Sequence, residues 1–161
     1  MDKISFDFEN RTAVITGGAQ GFGLDIAKRF LKSGAKVVIW DIDQKMIEKA
    51  IADLNNSNLS ANIVDVSNYK NVESNVNEIF KKTNIDILIN NAGITGPTAS
   101  LWEYDIEMWK KVVDINLMGT FNCCRTIVPH MIENNYGRIV NVASVAGKDG
   151  NANASAYSVG K

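Results

Sequence analysis

Short apolar, β-branched runs alternate along this chain with segments of helical periodicity, and that alternation leaves few folds open. Five runs read as strands: Thr12 to Thr16, Lys36 to Asp41, Ala61 to Asp65, Ile85 to Asn90 and Arg138 to Ser144. Each is short and rich in Val and Ile, the composition of strands covered on both faces. Between them, helical spacing predicts helices from about Gly21 to Ser33, Asp43 to Leu54, Asn68 to Lys82 and Tyr104 to Asn134. In the first, Phe22, Ile26 and Phe30, with Leu24, Ala27 and Leu31, form a broad apolar face that excludes Asp25, Lys28, Arg29 and Lys32. Ser33-Gly34 then supplies the stop. The expected class is α/β: a doubly wound parallel sheet with helices on both faces.

No repeat, low-complexity stretch or linker divides the 161 residues, so a single domain over 1–161 is expected. The formal net charge of -1, without a block of like charges, argues against nucleic acid or an anionic membrane as partner. The opening stretch from Met1 to Arg11 mixes acids with apolar residues and does not read as a leader. No apolar run approaches the roughly 20 residues needed to cross a bilayer. Cys123 and Cys124 are adjacent and offer no disulfide framework, which fits a reducing, cytoplasmic compartment. With His130 as the sole histidine, no metal site built on His ligands is expected. One of the two cysteines, together with Trp102, Trp109 and Tyr104, is expected in packing.

The first strand runs into Thr16-Gly17-Gly18-Ala19-Gln20-Gly21-Phe22-Gly23 and then directly into a helix. A strand, a glycine-rich turn and a helix amino end together offer backbone N–H groups and the positive end of a helix dipole to a pyrophosphate. Glycine is needed there because a Cβ would hold the phosphates away or forbid the tight turn. Gly17, Gly21 and Gly23 make G-x-x-x-G-x-G rather than G-x-G-x-x-G, with Gln20 and Phe22 inside the turn. Asp41 ends the second strand, eighteen residues beyond Gly23, where a carboxylate can accept from the adenosine ribose hydroxyls and repel a 2′-phosphate. Ala19 and Gln20 place no cation in the turn, so NAD is expected over NADP. Asp43 is an alternative carboxylate, and Asp41 could also be a solvated strand end.

The order of motifs resembles the short-chain dehydrogenase/reductase family over nearly the whole chain. Asp65-Val66 follows the third strand, Asn90-Asn91-Ala92-Gly93 closes the fourth, Asn116 lies inside the long helix, Ser144 ends the fifth strand, and Tyr157-Ser158-Val159-Gly160-Lys161 is Y-x-x-x-K. The resemblance implies a Rossmann-type oxidoreductase. It assigns Asp65 and Val66 to the adenine, and Asn91, Ala92 and Gly93 to the close approach of the cofactor. It makes Tyr157 the general acid/base, and gives Lys161 the nicotinamide ribose as well. Ser144 would bond the substrate oxygen, and Asn116 would shape a helix irregularity and hold a proton-relaying water.

The chemistry fits those assignments. Hydride transfer at a carbinol carbon leaves a proton to be moved at its oxygen, and a free tyrosine, with pKa about 10, is a poor base at neutral pH. Lys161, four residues after Tyr157, shares its helical face and favours the phenolate. Taken singly, each residue has a plainer reading: Tyr157 a surface aromatic, Ser144 a strand-end cap, Asn116 an exposed helix residue, Lys161 a solvated terminus.

The stretches Ile94 to Leu101 and Val145 to Ala156, the latter expected as a loop and the start of a helix, should wall the substrate pocket. They are small and polar, and suit a secondary alcohol, polyol, sugar or 3-oxoacyl substrate. The family's usual chain runs on for about another third of its length, and its members assemble as homo-oligomers through the long helix and its successor. A non-catalytic NAD-binding fragment or truncated product is therefore the alternative. The extended epimerase branch shares Y-x-x-x-K but not the glycine and Asn-Asn-Ala-Gly forms found here.

Overall fold

The computed structural model describes residues 6–161; residues 1–5, part of the opening stretch read above, lie outside that range. Five parallel strands make one sheet: β1 (Thr12–Thr16), β2 (Lys36–Asp41), β3 (Leu59–Ile63), β4 (Ile87–Asn90) and β5 (Arg138–Asn141). Their spatial order is β3-β2-β1-β4-β5, so the chain winds outward from β1 in both directions. The crevice at such a reversal, beyond the carboxyl ends of the strands, is where open α/β sheets bind ligands.

Successive side chains on a strand point to opposite faces, and the core divides accordingly. Ala13, Ile15, Val37, Ile39, Ile87 and Ile89 pack on α1 (Gly21–Lys32) and α2 (Gln44–Leu54), through Ala27, Leu31, Ile47 and Ala50. Val14, Val38, Trp40 and Leu88 pack on the other face against Val72, Val76, Cys123 and Ile127, from α3 (Tyr69–Phe80) and α5 (Gly119–Glu133). Each fully buried Val, Ile or Leu contributes roughly 1.5–3 kcal/mol relative to exposure. The α/β doubly wound fold is thus as expected.

Several helices start where a side chain can satisfy their first amides. Asp43 accepts from the Lys45 and Met46 amides, Asn68 from Asn71, and Asp105 from Met108 at α4 (Ile106–Val113). Gly34, at φ +88°, turns the chain out of α1.

Several boundaries differ from expectation. β3 begins at Leu59 because its ladder follows β2 from Val37↔Leu59 to Asp41↔Ile63, leaving Val64, Asp65 and Val66 beyond the sheet. β4 begins at Ile87, and the carboxylate of Asp86 just before it accepts from Arg11 and from the Thr12 amide. β5 stops at Asn141, and the Ser144 side chain instead opens α6 (Val145–Asp149), in a stretch expected to be a loop. The single helix expected over Tyr104 to Asn134 is α4 and α5 joined by a π-helical turn at Asp114–Met118, with α4 preceded by a 3-10 turn at Leu101–Glu103. Phe22 does not join the apolar face of α1; it is 82% exposed. Trp102, expected in packing, is 86% exposed, whereas Tyr104 is buried and Trp109 partly so. The last helix, α7 (Ser155–Gly160), carries the Tyr157 end of Y-x-x-x-K. Among the described residues no helix is long and apolar enough to cross a membrane.

Candidate active site

A cleft of about 350 Å³ opens beyond the carboxyl ends of β1, β2 and β4. Nine of the residues expected to hold a dinucleotide line it: Gly17, Gln20, Phe22, Asp41, Asp65, Val66, Asn91, Ala92 and Gly93. Four apolar residues not expected among them, Ile42, Val64, Ile94 and Ile115, complete the wall. Ile42 is 68% exposed, and its only mark in the sequence is its place between Asp41 and Asp43.

Two side chains hold the backbone of the turn. The Thr16 hydroxyl accepts from the Asn91 and Ala92 amides, each at 3.0 Å, and the Asn91 side-chain amide donates to the Thr16 and Gly17 carbonyls, also at 3.0 Å. Asn91 therefore braces the turn from below. Gly21 and Gly23 do not line the cleft, yet both are required for its shape. Gly21 sits at φ +52° in open space, so its constraint is conformational. Gly23 has no room for a Cβ, which would lie 2.1 Å from the Gly17 carbonyl oxygen. Gln20 precedes α1 in extended conformation and no side chain caps the helix, so its amino end faces the cleft with unpaired N–H groups.

Asp41 is nearly buried, with one carboxylate oxygen accepting from the Ala19 amide at 3.1 Å and the other from Asp43 at 3.2 Å. Each oxygen keeps a further lone pair toward the cleft. Asp43 lies outside the cleft lining and spends its side chain capping α2. Asp65 accepts from the amide and hydroxyl of Ser67, which fixes the bend that brings Val66 inward.

At the other end of the cleft, three elements converge on Gly93. A Cβ built there would lie 3.0 Å from Lys161 Nζ and 3.1 Å from Asn116 Oδ1. Asn116 is 3% exposed, at the centre of the π turn. Its side chain clamps Ile94 twice, accepting from the amide and donating to the carbonyl, both at 2.9 Å. That clamp draws the helix toward the strand-end loop, and the Gly119 amide reaches back to the Asp114 carbonyl, the i→i+5 bond of a π turn. Lys161 donates to the Val142 carbonyl at 2.9 Å, leaving two N–H bonds free, and burial pulls its ammonium below the ordinary lysine range.

Ser144 caps α6 by accepting from the Ala146 amide at 3.2 Å. A hydroxyl has one proton and two lone pairs, so the cap uses a lone pair and leaves the proton. Tyr157 is half-buried on α7. Asn116, Ser144, Tyr157 and Lys161 lie outside the lining of the cleft, and Asn116 and Lys161 meet at its Gly93 end. Cys123 is fully buried and its thiol is pushed up to about 12 by desolvation, which makes it packing material.

Residues 11–161 match the family model described as short chain dehydrogenase. The chain belongs to that family. Among its relatives, the 2-dehydro-3-deoxy-L-rhamnonate dehydrogenase (NAD(+)) of Sphingomonas sp. (strain SKA58) is 43% identical over 155 residues, covering 96% of this chain and 61% of that protein. The meso-2,3-butanediol dehydrogenase of Serratia marcescens is 36% identical over 155 residues, covering 96% and 61%. A structure of NAD+-bound xylitol dehydrogenase superposes with a TM-score of 0.91 at 32% identity, covering 96% of this chain and 60% of that one. This short-chain dehydrogenase sequence thus spans about three-fifths of the length of the relatives it matches.

Proposed function

We propose that this chain is the nucleotide-binding and catalytic part of an NAD-dependent oxidoreductase acting on a small secondary alcohol, polyol or sugar derivative, or on the corresponding carbonyl. The observation that carries the reading is the polarity of the cleft. One end holds the Asp41 carboxylate, and the other meets Lys161 and Asn116 at Gly93. A dinucleotide fits that order. Its adenosine ribose hydroxyls would donate to Asp41, its pyrophosphate would meet the uncapped end of α1, and its nicotinamide end would meet Lys161. The same carboxylate disfavours a 2′-phosphate, which supports NAD over NADP.

Bound NAD would supply the acceptor for the hydride, and its reduced form the donor. Tyr157 takes the proton from the substrate hydroxyl in oxidation and returns it in reduction. Lys161 favours the phenolate through its charge and uses its free N–H bonds on the ribose. Ser144 donates its unused proton to the substrate oxygen and stabilises the charge developing there. Asn116, clamped to Ile94, fixes the wall of the cleft and holds the water through which the proton reaches solvent.

The names of the NAD(+)-dependent relative and of the NAD+-bound neighbour support the cofactor, and the hydroxylated substrates in those names support the substrate class. A single domain over the described residues is supported by one continuous sheet. The exposed Leu117, Met118 and Phe121 on the π turn and α5 support homo-oligomeric assembly through this helix. Two unpaired cysteines fit a reducing, cytoplasmic setting.

The test follows absorbance of the reduced nicotinamide while NAD is offered with polyols, sugar acids and secondary alcohols. Turnover that vanishes in Tyr157→Phe, with NAD still bound by calorimetry, is the expected result. Turnover retained in that variant would remove Tyr157 from the chemistry.

A further inference from the structure

Resting on the dehydrogenase reading above, we infer that Trp109 is a positioning residue which, through Ser155, sets the rotation of α7 and hence the place of the Tyr157 hydroxyl.

α7 opens at Ser155, and the first turn of a helix lacks intrahelical partners for its amides. Ala154 precedes it with no side-chain cap. Its position is therefore decided by what it touches. One face is packed: Ala156 is fully buried against Tyr104 and Val112, and Gly160 lies so near Asn116 that a Cβ would fall 2.8 Å from the Asn116 Cβ. At 100° per residue, Ala156 and Gly160 share that face, while Tyr157 and Lys161 share the next one round. Small side chains on a packed face set the distance of a helix from its neighbour but resist rotation weakly.

Three side-chain bonds oppose rotation: the Asn151 amide donates to Ser158 Oγ at 3.1 Å, Lys161 Nζ to the Val142 carbonyl at 2.9 Å, and the third comes from another helix, α4. Trp109 Nε1 donates to Ser155 Oγ at 3.1 Å, and Ser155 lies about 160° round the helix from Tyr157. The indole is half-buried in the same cluster as Tyr104 and Val112, so the donor is rigid. The leverage is large. A rotation of about 10° carries a phenol oxygen standing ~9 Å from the axis through about 1.5 Å, several times the half-ångström tolerance of an active site. A tryptophan on α4 that does not line the cleft thereby governs where the phenol meets its substrate.

The experiment compares Trp109→Phe, Ser155→Ala, Ser155→Thr and the double Trp109→Phe/Ser155→Ala with the unaltered protein. Two quantities are read: hydrogen exchange at the α7 amides, and the separate kcat and KM of NAD-linked turnover. Trp109→Phe and Ser155→Ala are each expected to speed α7 exchange and lower kcat by about five- to tenfold, the value of one hydrogen bond. KM for the alcohol and the affinity for NAD should stay within about twofold, since the cleft is untouched. Ser155→Thr, which keeps the hydroxyl, should restore both readings, and the double variant should lose no more than either single one. Unchanged α7 exchange and kcat in both single variants, failure of threonine to rescue, or losses that multiply in the double would each overturn the inference. Should the unaltered protein turn over nothing while α7 exchange responds as described, the dehydrogenase reading falls and the anchor stands.

Discussion

The two ends of the cleft are built from different materials. The turn after β1 is main chain braced by two side chains, the Thr16 hydroxyl on the Asn91 and Ala92 amides and the Asn91 side-chain amide on the Thr16 and Gly17 carbonyls, and β1 and β4 beneath are buried throughout. The corner around Gly93 is made of side chains carried on separate pieces, namely a π turn of five residues, α6 of five and the opening turns of α7. The first region tolerates little change in backbone space and has few side chains to lose. The second depends on particular side chains meeting at a point, and damage there leaves the rest of the fold standing.

The contrast sets the order of expected effects. Removing one oxygen at the corner, in Tyr157→Phe, should lower kcat by about 10²- to 10⁴-fold while calorimetry shows NAD binding and the melting temperature near those of the unaltered protein. A matching loss of NAD affinity would break the comparison, because the corner would then be supporting the turn. Adding one carbon to the turn does the reverse. Gly23→Ala drives a Cβ into the Gly17 carbonyl and should cost about 3 kcal/mol of stability, together with most of the NAD affinity, read by thermal melting and calorimetry. Asn91→Ala strands two carbonyls and should cost about 1–3 kcal/mol, with NAD affinity falling in parallel and any residual kcat preserved at saturating cofactor.

The smallest effect sharpens the comparison by pH. Burial lowers the Lys161 pKa in the folded protein, so between that value and the ordinary lysine range the unfolded chain binds more protons, and stability rises with pH across the window. Below the folded pKa the full penalty of burying the charge is present. The melting temperature of the unaltered protein relative to Lys161→Met should therefore shift in favour of the unaltered protein as pH rises toward the lysine range. A flat or falling difference would mean that the ammonium is well solvated.

What could be read from the amino-acid sequence divides along the same line. The glycine turn, Asp41 and the strand-end residues were legible because main-chain sites leave their mark as residues that lack or tolerate a Cβ, at spacings counted from strand ends. The doubly wound fold followed from apolar alternation for a similar reason. The corner was legible as motifs but not as structure. Helical periodicity runs smoothly through Asp114–Met118, because one residue too many per turn shifts the pattern less than the scatter of apolar positions, and only the clamp of Asn116 on Ile94 shows why the helix widens. α6 was hidden by Gly147 within it and by Gly150 and Asn151 just after it, which suppress helix propensity, and its start depends on a cap from Ser144. Phe22 fits the apolar stripe of α1 by angle, yet it lies at the first turn, beyond the layer that the sheet covers, and so it faces the cleft. The bond from Trp109 to Ser155 joins residues far apart in the chain and left no periodic trace.

The cap at Ser144 has a consequence for anyone improving this protein in the laboratory. Asp and Asn cap helices about as well as Ser, so a screen for heat tolerance alone would treat the three as interchangeable at this position. Only serine both accepts from the Ala146 amide and retains a rotatable hydroxyl proton. Selection on survival at high temperature would let that proton drift away unnoticed, yielding variants that fold and melt late but have no hydroxyl left for the proposed bond to the substrate oxygen.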